Sequence, residues 1–214
     1  MMVKRILVVY TTPRTREQKS SLDTVKKALR KYNINFELAN RDKLNKKQFK
    51  NKGLIMAVGG DGTFLRAAQF AANQLIFGVN SDVRDKEGFF MKSDKNDFEK
   101  RLKRIISNKF KIKRLPRLEA FINGRRIEAL ALNEFFIGPG KSYHAAKYMI
   151  KVGNKKERQK SSGILVTTPA GSYAWAKSYH GKTLPLRSTS YQFVVREPYH
   201  GRIFKNYRLK HGIL

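Results

Sequence analysis

The sequence predicts two domains: an α/β N-terminal domain built on a parallel sheet, residues 1–108, and a mostly antiparallel β C-terminal domain, residues 109–214. In the first part, short apolar runs alternate with amphipathic segments of helical period. After Lys109 the pattern changes to period-two segments separated by turns such as Asn123-Gly124. A chain of 214 residues can bury a sizeable core and has room for two small domains.

The N-terminal elements follow from these patterns. Val3 to Tyr10 is a nearly continuous apolar and β-branched run, which is typical of a strand covered on both faces. Between residues 17 and 32 the apolar side chains recur at spacings of three and four, which predicts a helix. The other predicted elements are strands at 34–38, 54–58 and 75–79 and helices at 63–72 and 98–106. Their alternation predicts right-handed crossovers between parallel strands.

The C-terminal domain is predicted from alternating segments. The predicted strands are 117–122, 127–137, 143–152 and 163–168. Two runs of charged residues, 41–52 and 155–160, are typical of solvated loops.

Composition narrows the function classes. The longest apolar runs, such as Ile6 to Tyr10, are far shorter than the roughly 20 residues that cross a bilayer, so no membrane span is expected. Residues 1–19 lack the pattern of a signal peptide. The absence of Cys excludes disulfides and thiolate zinc sites and fits a cytoplasmic protein.

The charge predicts anionic partners. With 46 Lys and Arg against 16 Asp and Glu, the formal net charge is +30. Nucleic acid would match such a surface, and so would the phosphates of ATP, NAD or polyphosphate. Lys is scattered through the whole chain, so a compositional background explains the charge equally well.

The turn Gly59-Gly60-Asp61-Gly62-Thr63 lies between a predicted strand and a predicted helix. Glycines let the backbone turn tightly and approach a phosphate, and the first N–H groups of the helix favour an anion. Asp61 is expected at the carboxyl end of its strand, where open α/β sheets bind ligands. The turn matches neither a Walker loop nor the Gly-x-Gly-x-x-Gly dinucleotide motif.

Gly-Gly-Asp-Gly-Thr resembles the signature of a kinase superfamily that includes NAD kinases, lipid kinases and, with Ser for Thr, phosphofructokinases. Asn133-Glu134, after a predicted strand at 126–132, resembles the Asn-Glu pair of NAD kinases. Ser162 to Trp175 is similar to that family's Asp-Gly, apolar strand and Thr-Pro-x-Gly-Ser-Thr-Ala-Tyr segment. Gly78-Val79-Asn80 and Gly88-Phe89-Phe90 match its Gly-x-Asn and Gly-Phe pieces.

The resemblance to NAD kinases implies phosphorylation of the adenosine 2′-hydroxyl of NAD to give NADP, with ATP or polyphosphate as donor. Asp61 would be the catalytic base. The phosphates of the donor, with Mg²⁺, would be held by the backbone of Gly59, Gly60, Gly62 and Thr63. Asn133 and Glu134 would bind ribose hydroxyls. The residues implied in NAD binding are Asn80, Phe89, Phe90, Asn133, Glu134, Ser162, Tyr173, Ala174, Trp175 and Ser178. The resemblance also implies a homo-oligomer, either a dimer or a tetramer.

The sequence departs from the family at three positions. Ser162 stands where the family has Asp, Tyr173 replaces a Thr, and Trp175 replaces a Tyr. These changes affect the acceptor, so a kinase of the same superfamily acting on another nucleotide, a sugar or a lipid stays open. A lipid kinase would typically continue with Asn-Glu after the turn, whereas Phe64-Leu65-Arg66 follows here. A nucleic-acid-binding protein on a kinase-like scaffold is the alternative from another class.

Overall fold

The computed structural model describes residues 5–214, so Val3 and Lys4 of the first predicted strand lie outside the described residues. The chain divides between Ile112 and Lys113 into two compact units. This division falls four residues after the predicted domain boundary at 108/109. The assignment of residues 1–108 and 109–214 as two domains stays a prediction.

The first unit is built on a five-stranded, wholly parallel sheet, as the sequence predicts. Its strands are β1 (Ile6–Tyr10), β2 (Phe36–Asn40), β3 (Leu54–Gly59), β4 (Leu75–Asn80) and β5 (Met91–Asp94). They lie in the order β2-β1-β3-β4-β5. The central strand β3 is buried along its whole length, which explains its continuous apolar sequence.

Helices cover both faces of this sheet. They are α1 (Arg16–Lys31), α2 (Lys46–Phe49), α3 (Asp61–Phe70) and α4 (Phe98–Ile106). Val25 of α1 and Leu102 of α4 pack against Val8 on one face. Ala67 of α3 packs against Val9 on the other face, so the unit has three layers. Thr15 caps α1 by accepting a hydrogen bond from the Gln18 N–H at 3.2 Å.

Two features of the first unit were not predicted. Strand β5 is short, and only Met91 and Ser93 are buried, so it has too few apolar residues to give a periodic signal. The charged run 41–52, interpreted as a loop, contains a 3₁₀ turn at Arg41–Lys43 and the helix α2. Phe49 of α2 is buried in the core, and Asn45 and Gln48 form a capping box at its start.

The second unit is mostly antiparallel, which confirms the predicted class. Its strands are β6 (Phe121–Ile122), β7 (Arg125–Arg126), β8 (Glu134–Ile137), β9 (Ala146–Val152), β10 (Lys155–Ser161), β11 (Gly163–Thr167), β12 (Gln192–Arg196) and β13 (His211–Ile213). A four-stranded sheet has the order β13-β12-β11-β8, while β9 pairs with β10 and β6 with β7. No helix among residues 5–214 is both long and apolar enough to span a membrane.

Several predicted strands of this unit are wrong in extent. Within the segments 117–122 and 127–137, only β6 and β8 are strands. Outside these strands, one isolated β-bridge links Leu118 to Ala131. The strand expected at 126–132 before Asn133 is therefore wrong, and β8 begins at Glu134 itself. Residues 121–126 are exposed on both faces, so their alternation has no core to face. Likewise, β9 starts three residues later than predicted.

The charged run 155–160 forms the strand β10, which corrects its interpretation as a loop. Its buried side is polar, since Gln159 and Ser161 are completely buried. A strand whose inward positions are polar gives no apolar alternation, and this explains the error.

Candidate functional site

The glycine turn links β3 to α3 at the carboxyl edge of the parallel sheet. Gly60 is the N-cap residue of α3, and the Thr63 N–H donates to the Gly60 carbonyl at 2.8 Å. A Cβ on Gly59 would overlap the Thr63 hydroxyl. Thr63 is completely buried, and its Oγ1 has no hydrogen-bond partner among the described residues. No side chain caps α3, so the N–H groups of the helix that precede Thr63 are left for an anion.

Asp61 lies in the first turn of α3 and holds the segment 88–90. Its Oδ2 accepts from the Phe89 N–H at 2.9 Å and its Oδ1 from the Phe90 N–H at 2.8 Å. The Phe90 ring stacks on Phe64, with ring centroids 4.9 Å apart, while Phe89 is 36% exposed. The structure thus brings together three residues that the sequence predicted for one site.

Asn80 ends β4 beside Gly59 of β3. Its Oδ1 accepts from the Asp82 N–H at 3.0 Å, and its Nδ2 donates to the Lys86 carbonyl at 3.1 Å. The Asn80 side chain therefore shapes the loop that follows β4. The next residue, Ser81, donates its N–H to the Gly59 carbonyl at 2.9 Å, and its buried hydroxyl has no partner within residues 5–214. Sequence reasoning missed Ser81, which lies two residues after the predicted strand at 75–79 and in none of the quoted motifs.

In the second unit, Asn133 directly precedes β8 and Glu134 is its first residue, and each has a polar side-chain atom without a partner among the described residues. The Asn133 carbonyl accepts from the Thr168 N–H at 2.8 Å, which joins the two predicted segments. The Asn133 Oδ1 and the Glu134 Oε2 are buried and have no hydrogen-bond partner in the described part of the chain. Burial raises the pKa of the Glu134 carboxyl above its ordinary value. Such orphaned acceptors are expected where a ligand or water donates.

The segment Thr168 to Trp175 forms a buried turn that ends in exposed aromatic side chains. The Thr168 hydroxyl donates to the Leu132 carbonyl at 2.6 Å and accepts from the Gly171 N–H at 3.0 Å. A Cβ on Gly171 would overlap the Asn133 carbonyl oxygen. Beyond this turn, Tyr173 is 43% and Trp175 39% exposed.

The remaining predicted residues of this segment differ in exposure. Ala174 is half-buried and donates its N–H to the Gly171 carbonyl at 2.9 Å. Ser178 is exposed in the 3₁₀ helix Trp175–Tyr179.

Arg196 at the end of β12 was missed by sequence reasoning. Its guanidinium carbon lies 4.5 Å from the ring centroid of Trp175, 4.8 Å from that of Tyr179 and 5.2 Å from that of Phe136. Its Nη2 donates to the Tyr179 hydroxyl at 2.9 Å, while the buried Nε has no partner among residues 5–214. Cation–π contacts of this kind stabilise the position of the Trp175 ring against Arg196. No local motif marks an arginine that acts through aromatic neighbours.

Ser162 lies next to this arginine, because its N–H donates to the Arg196 carbonyl at 3.1 Å. A hydrogen bond with the Ser162 side chain is the main cause that lowers the pKa of the Glu197 carboxyl below its ordinary value. The Tyr179 hydroxyl also hydrogen-bonds Glu197, at 3.2 Å. Ser162 stands where the family has Asp. The carboxylate at this place in the structure is therefore that of Glu197.

Comparison with known proteins identifies relatives of one kind. No protein-family model matches the chain. An NAD kinase from Psychrobacter arcticus is 32% identical over 153 residues, which is 69% of this chain and 45% of that protein. An NAD kinase from Rhizobium meliloti is 31% identical over 154 residues, 70% of this chain and 58% of that protein.

The chain belongs to the NAD kinase family. A probable NADH kinase from Oryza sativa subsp. japonica is 27% identical over 211 residues, 88% of this chain and 65% of that protein. The chain thus spans less than two thirds of the length of each of these relatives.

Solved structures support the same fold. The NAD kinase from Archaeoglobus fulgidus in complex with ATP superposes with a TM-score of 0.77 at 24% identity, covering 98% of this chain and 76% of that one. Yeast NADH kinase complexed with NADH gives a TM-score of 0.75 at 17% identity, and the superposition covers 99% of this chain and 69% of that one. At these identities the likeness concerns the fold of the NAD kinase family.

Proposed function

We propose that the chain phosphorylates the adenosine 2′-hydroxyl of NAD to give NADP, with ATP or polyphosphate as the donor. The observation that carries this proposal is the Asp61 carboxylate, held by two backbone N–H groups beside an uncapped helix N-terminus. The relatives named NAD kinase support the choice of acceptor.

Asp61 acts as the general base. Its two hydrogen bonds orient the carboxylate and leave each oxygen with a second lone pair. One of these accepts the proton of the 2′-hydroxyl as its oxygen bonds to the terminal phosphorus of the donor. The bond between that phosphorus and the bridging oxygen breaks, so the donor leaves one phosphate shorter. Positioning and charge stabilisation supply most of the catalysis in such a transfer.

The phosphates of the donor bind at the glycine turn. Gly59, Gly60 and Gly62 place no Cβ at the N-terminus of α3, where N–H groups and the helix dipole favour an anion. The orphaned hydroxyls of Thr63 and Ser81 lie at the same edge of the sheet and supply further donors.

NAD binding is proposed for the side chains that the resemblance to NAD kinases implies. The orphaned Asn133 Oδ1 and Glu134 Oε2 accept hydrogen bonds from ribose hydroxyls. Tyr173, Ala174 and Trp175 line the adenine site. The remaining proposed NAD-binding residues are Asn80, Phe89, Phe90, Ser162 and Ser178.

A divalent cation such as Mg²⁺ fits the residues present if phosphates supply most of its ligands. Within residues 5–214, no cluster of three or more His, Asp or Glu side chains is placed to hold a metal ion. Mg²⁺ commonly takes one or two carboxylates, waters and substrate phosphates. Asp61 or the unpartnered Glu134 Oε2 would supply a carboxylate oxygen. The ion would neutralise charge that develops on the transferred phosphate.

NADP formation by wild type and Asp61→Asn, assayed separately with ATP and polyphosphate, tests the proposal. Loss of the base is expected to lower kcat by about 10²- to 10⁴-fold while NAD binding is retained. Asp23→Asn, on the exposed side of α1, is the matched control and should keep full activity. Unchanged turnover in Asp61→Asn would refute the role of the base.

Acceptor choice is tested by offering NADH, a sugar or diacylglycerol in place of NAD. Ser162 stands where the family has Asp, and its side chain hydrogen-bonds Glu197, so this position bears on the choice of acceptor. No NADP product with either donor would overturn the activity itself. A homo-oligomer and a cytoplasmic location are further proposals, checked by light scattering and by fractionation.

A further inference from the structure

Strands β9 and β10 pair so that five cations share one face of the hairpin. Lys147 lies opposite Lys160, and Lys151 lies opposite Lys156. Arg158 lies opposite Met149, which is 50% exposed. The basic face is defined here as Lys147, Lys151, Lys156, Arg158 and Lys160.

The opposite face of the same hairpin is packed against the core, so the two faces cannot swap by a change of strand register. Ile150 belongs to a core cluster with Phe193 and Val195. Gln159, completely buried, accepts from the Tyr148 hydroxyl at 3.0 Å and donates to the Leu209 carbonyl at 2.9 Å. A slip of one residue would bury the lysines, so the register fixes the cations outward.

The basic face carries like charges that no carboxylate of the described chain neutralises. Like charges directly opposite each other destabilise a strand pair. Within residues 5–214, none of the five cations forms an ion pair with a carboxylate. Glu157, the acid of β10, instead faces the packed side and accepts from the Arg208 and Leu209 N–H groups. The face therefore matches an anion from outside the chain.

Aromatic rings interleave with these cations. The Lys160 Nζ lies 3.8 Å from the ring centroid of Tyr199, and the Arg158 guanidinium carbon lies 5.5 Å from that of Phe204. Tyr199 is 49% exposed, and its N–H donates to the Lys160 carbonyl at 2.8 Å. The ring is thus fixed at the edge of β10 with a surface open to solvent.

We propose that the basic face binds single-stranded nucleic acid along β10, with Tyr199 stacking on a base. Alternate residues of a strand are about 7 Å apart. This spacing is of the order of that between successive phosphates of a nucleic acid backbone, and it exceeds the spacing in inorganic polyphosphate. A cationic track with aromatic rings is the usual surface for single strands. A second copy docked face to face would oppose like charges.

The test measures binding of fluorescent single-stranded DNA and RNA 16-mers across a salt series. The variant Lys151→Gln/Lys156→Gln/Arg158→Gln should bind about 100-fold more weakly at 0.1 M salt, with a salt slope shallower by about 2. The control Lys19→Gln/Lys27→Gln/Lys100→Gln removes equal charge from exposed positions on α1 and α4. It should retain affinity within a few-fold.

A single substitution tests the aromatic contact. It also keeps the proposal testable if the triple variant fails to fold. Tyr199→Leu removes the ring and keeps the backbone hydrogen bond, so affinity should fall at least fivefold without a change in salt slope. If both triple variants bound the 16-mers equally weakly, the loss of affinity would follow from net charge alone, and the proposal would be overturned. Tighter binding of duplex DNA or of polyphosphate at equal phosphate concentration, or unchanged affinity in Tyr199→Leu, would also overturn it.

Discussion

Gly59 and Gly60 are adjacent but differ in what a side chain would meet. A Cβ on Gly59 would overlap the buried Thr63 hydroxyl, whereas one on Gly60 would approach the flexible Lys86 side chain, with Cδ 2.9 Å away. Gly59→Ala is therefore expected to cost about 1–3 kcal/mol of stability through overpacking. Its Tm should fall by about 2–4 °C for each kcal/mol. Gly60→Ala, whose backbone is extended, should stay near the Tm of wild type. Equal Tm values for the two variants would contradict this account.

The buried Glu134 carboxyl is expected to make the stability of the protein depend on pH. Below the unfolded pKa of about 4.3, the Glu134 carboxyl is mostly protonated in both the folded and the unfolded state. Because burial raises the folded pKa, ionisation destabilises the fold as pH rises through the raised value. Glu134→Gln should therefore leave the Tm nearly unchanged at pH 4 and raise it at pH 8. NADP formation should fall at both pH values, because a carboxylate acceptor is lost.

Glu99 supplies the control of opposite sign. Hydrogen bonds from Lys31 and from the Tyr32 hydroxyl lower the pKa of the Glu99 carboxyl. The stability it contributes is present above its unfolded pKa and is lost as pH falls through the folded value. Glu99→Gln should thus lower the Tm at pH 8 and have little effect at low pH. If both variants shift the Tm in the same direction at pH 8, the assignment at Glu134 is wrong.

The turn after β11 depends on one hydroxyl. Thr168 is buried and links the Leu132 carbonyl to the Gly171 N–H. Thr168→Val keeps the shape and leaves both groups without a partner, which should cost about 1–3 kcal/mol for each. Thermal unfolding is the measurement. Thr24→Val is the control, since the Thr24 hydroxyl donates only to the Ser20 carbonyl on the outside of α1. A Tm for Thr168→Val as high as that of the control would contradict the role of this hydroxyl.

Most elements with an apolar signal were predicted, but β12 was missed although its Phe193, Val194 and Val195 are buried. Strand β10, which lacks an apolar signal, was interpreted as a loop. β1, β3 and α4 have buried side chains at the period of their secondary structure, so their existence follows from local sequence. β10 buries Gln159 and Ser161, whose partners are the distant Leu209 and the facing Tyr148. An inward polar residue is stabilised only when the partner is in place, and local sequence cannot show that partner.

Some residues of the candidate site were predicted from the sequence, and others were found only in the structure. Asp61, Glu134 and the segment Thr168 to Trp175 were predicted, and their proposed roles remain open to the tests above. Ser81 and Arg196 became apparent only from burial and missing partners. Both act through contacts distant in sequence, so no short motif contains them.

At the scale of the whole molecule, the sequence determined the charge and the order of the elements. A net charge of +30 and the change from helical to alternating pattern can be counted in the printed residues. The tertiary structure decided where the charge is concentrated. The pairing of β9 with β10 places five cations on one face without a carboxylate, because strand register sets which side chains share a surface.

The sequence by itself also determined the family motif, since the glycines and Asp61 are adjacent along the chain. Only the tertiary structure decided what each motif residue contacts. Asp61 holds Phe89 and Phe90, and the Asn133 carbonyl holds Thr168, across separations of about 30 residues. Periodicity and short motifs report on neighbours in sequence, whereas hydrogen bonds and burial depend on residues that folding brings together.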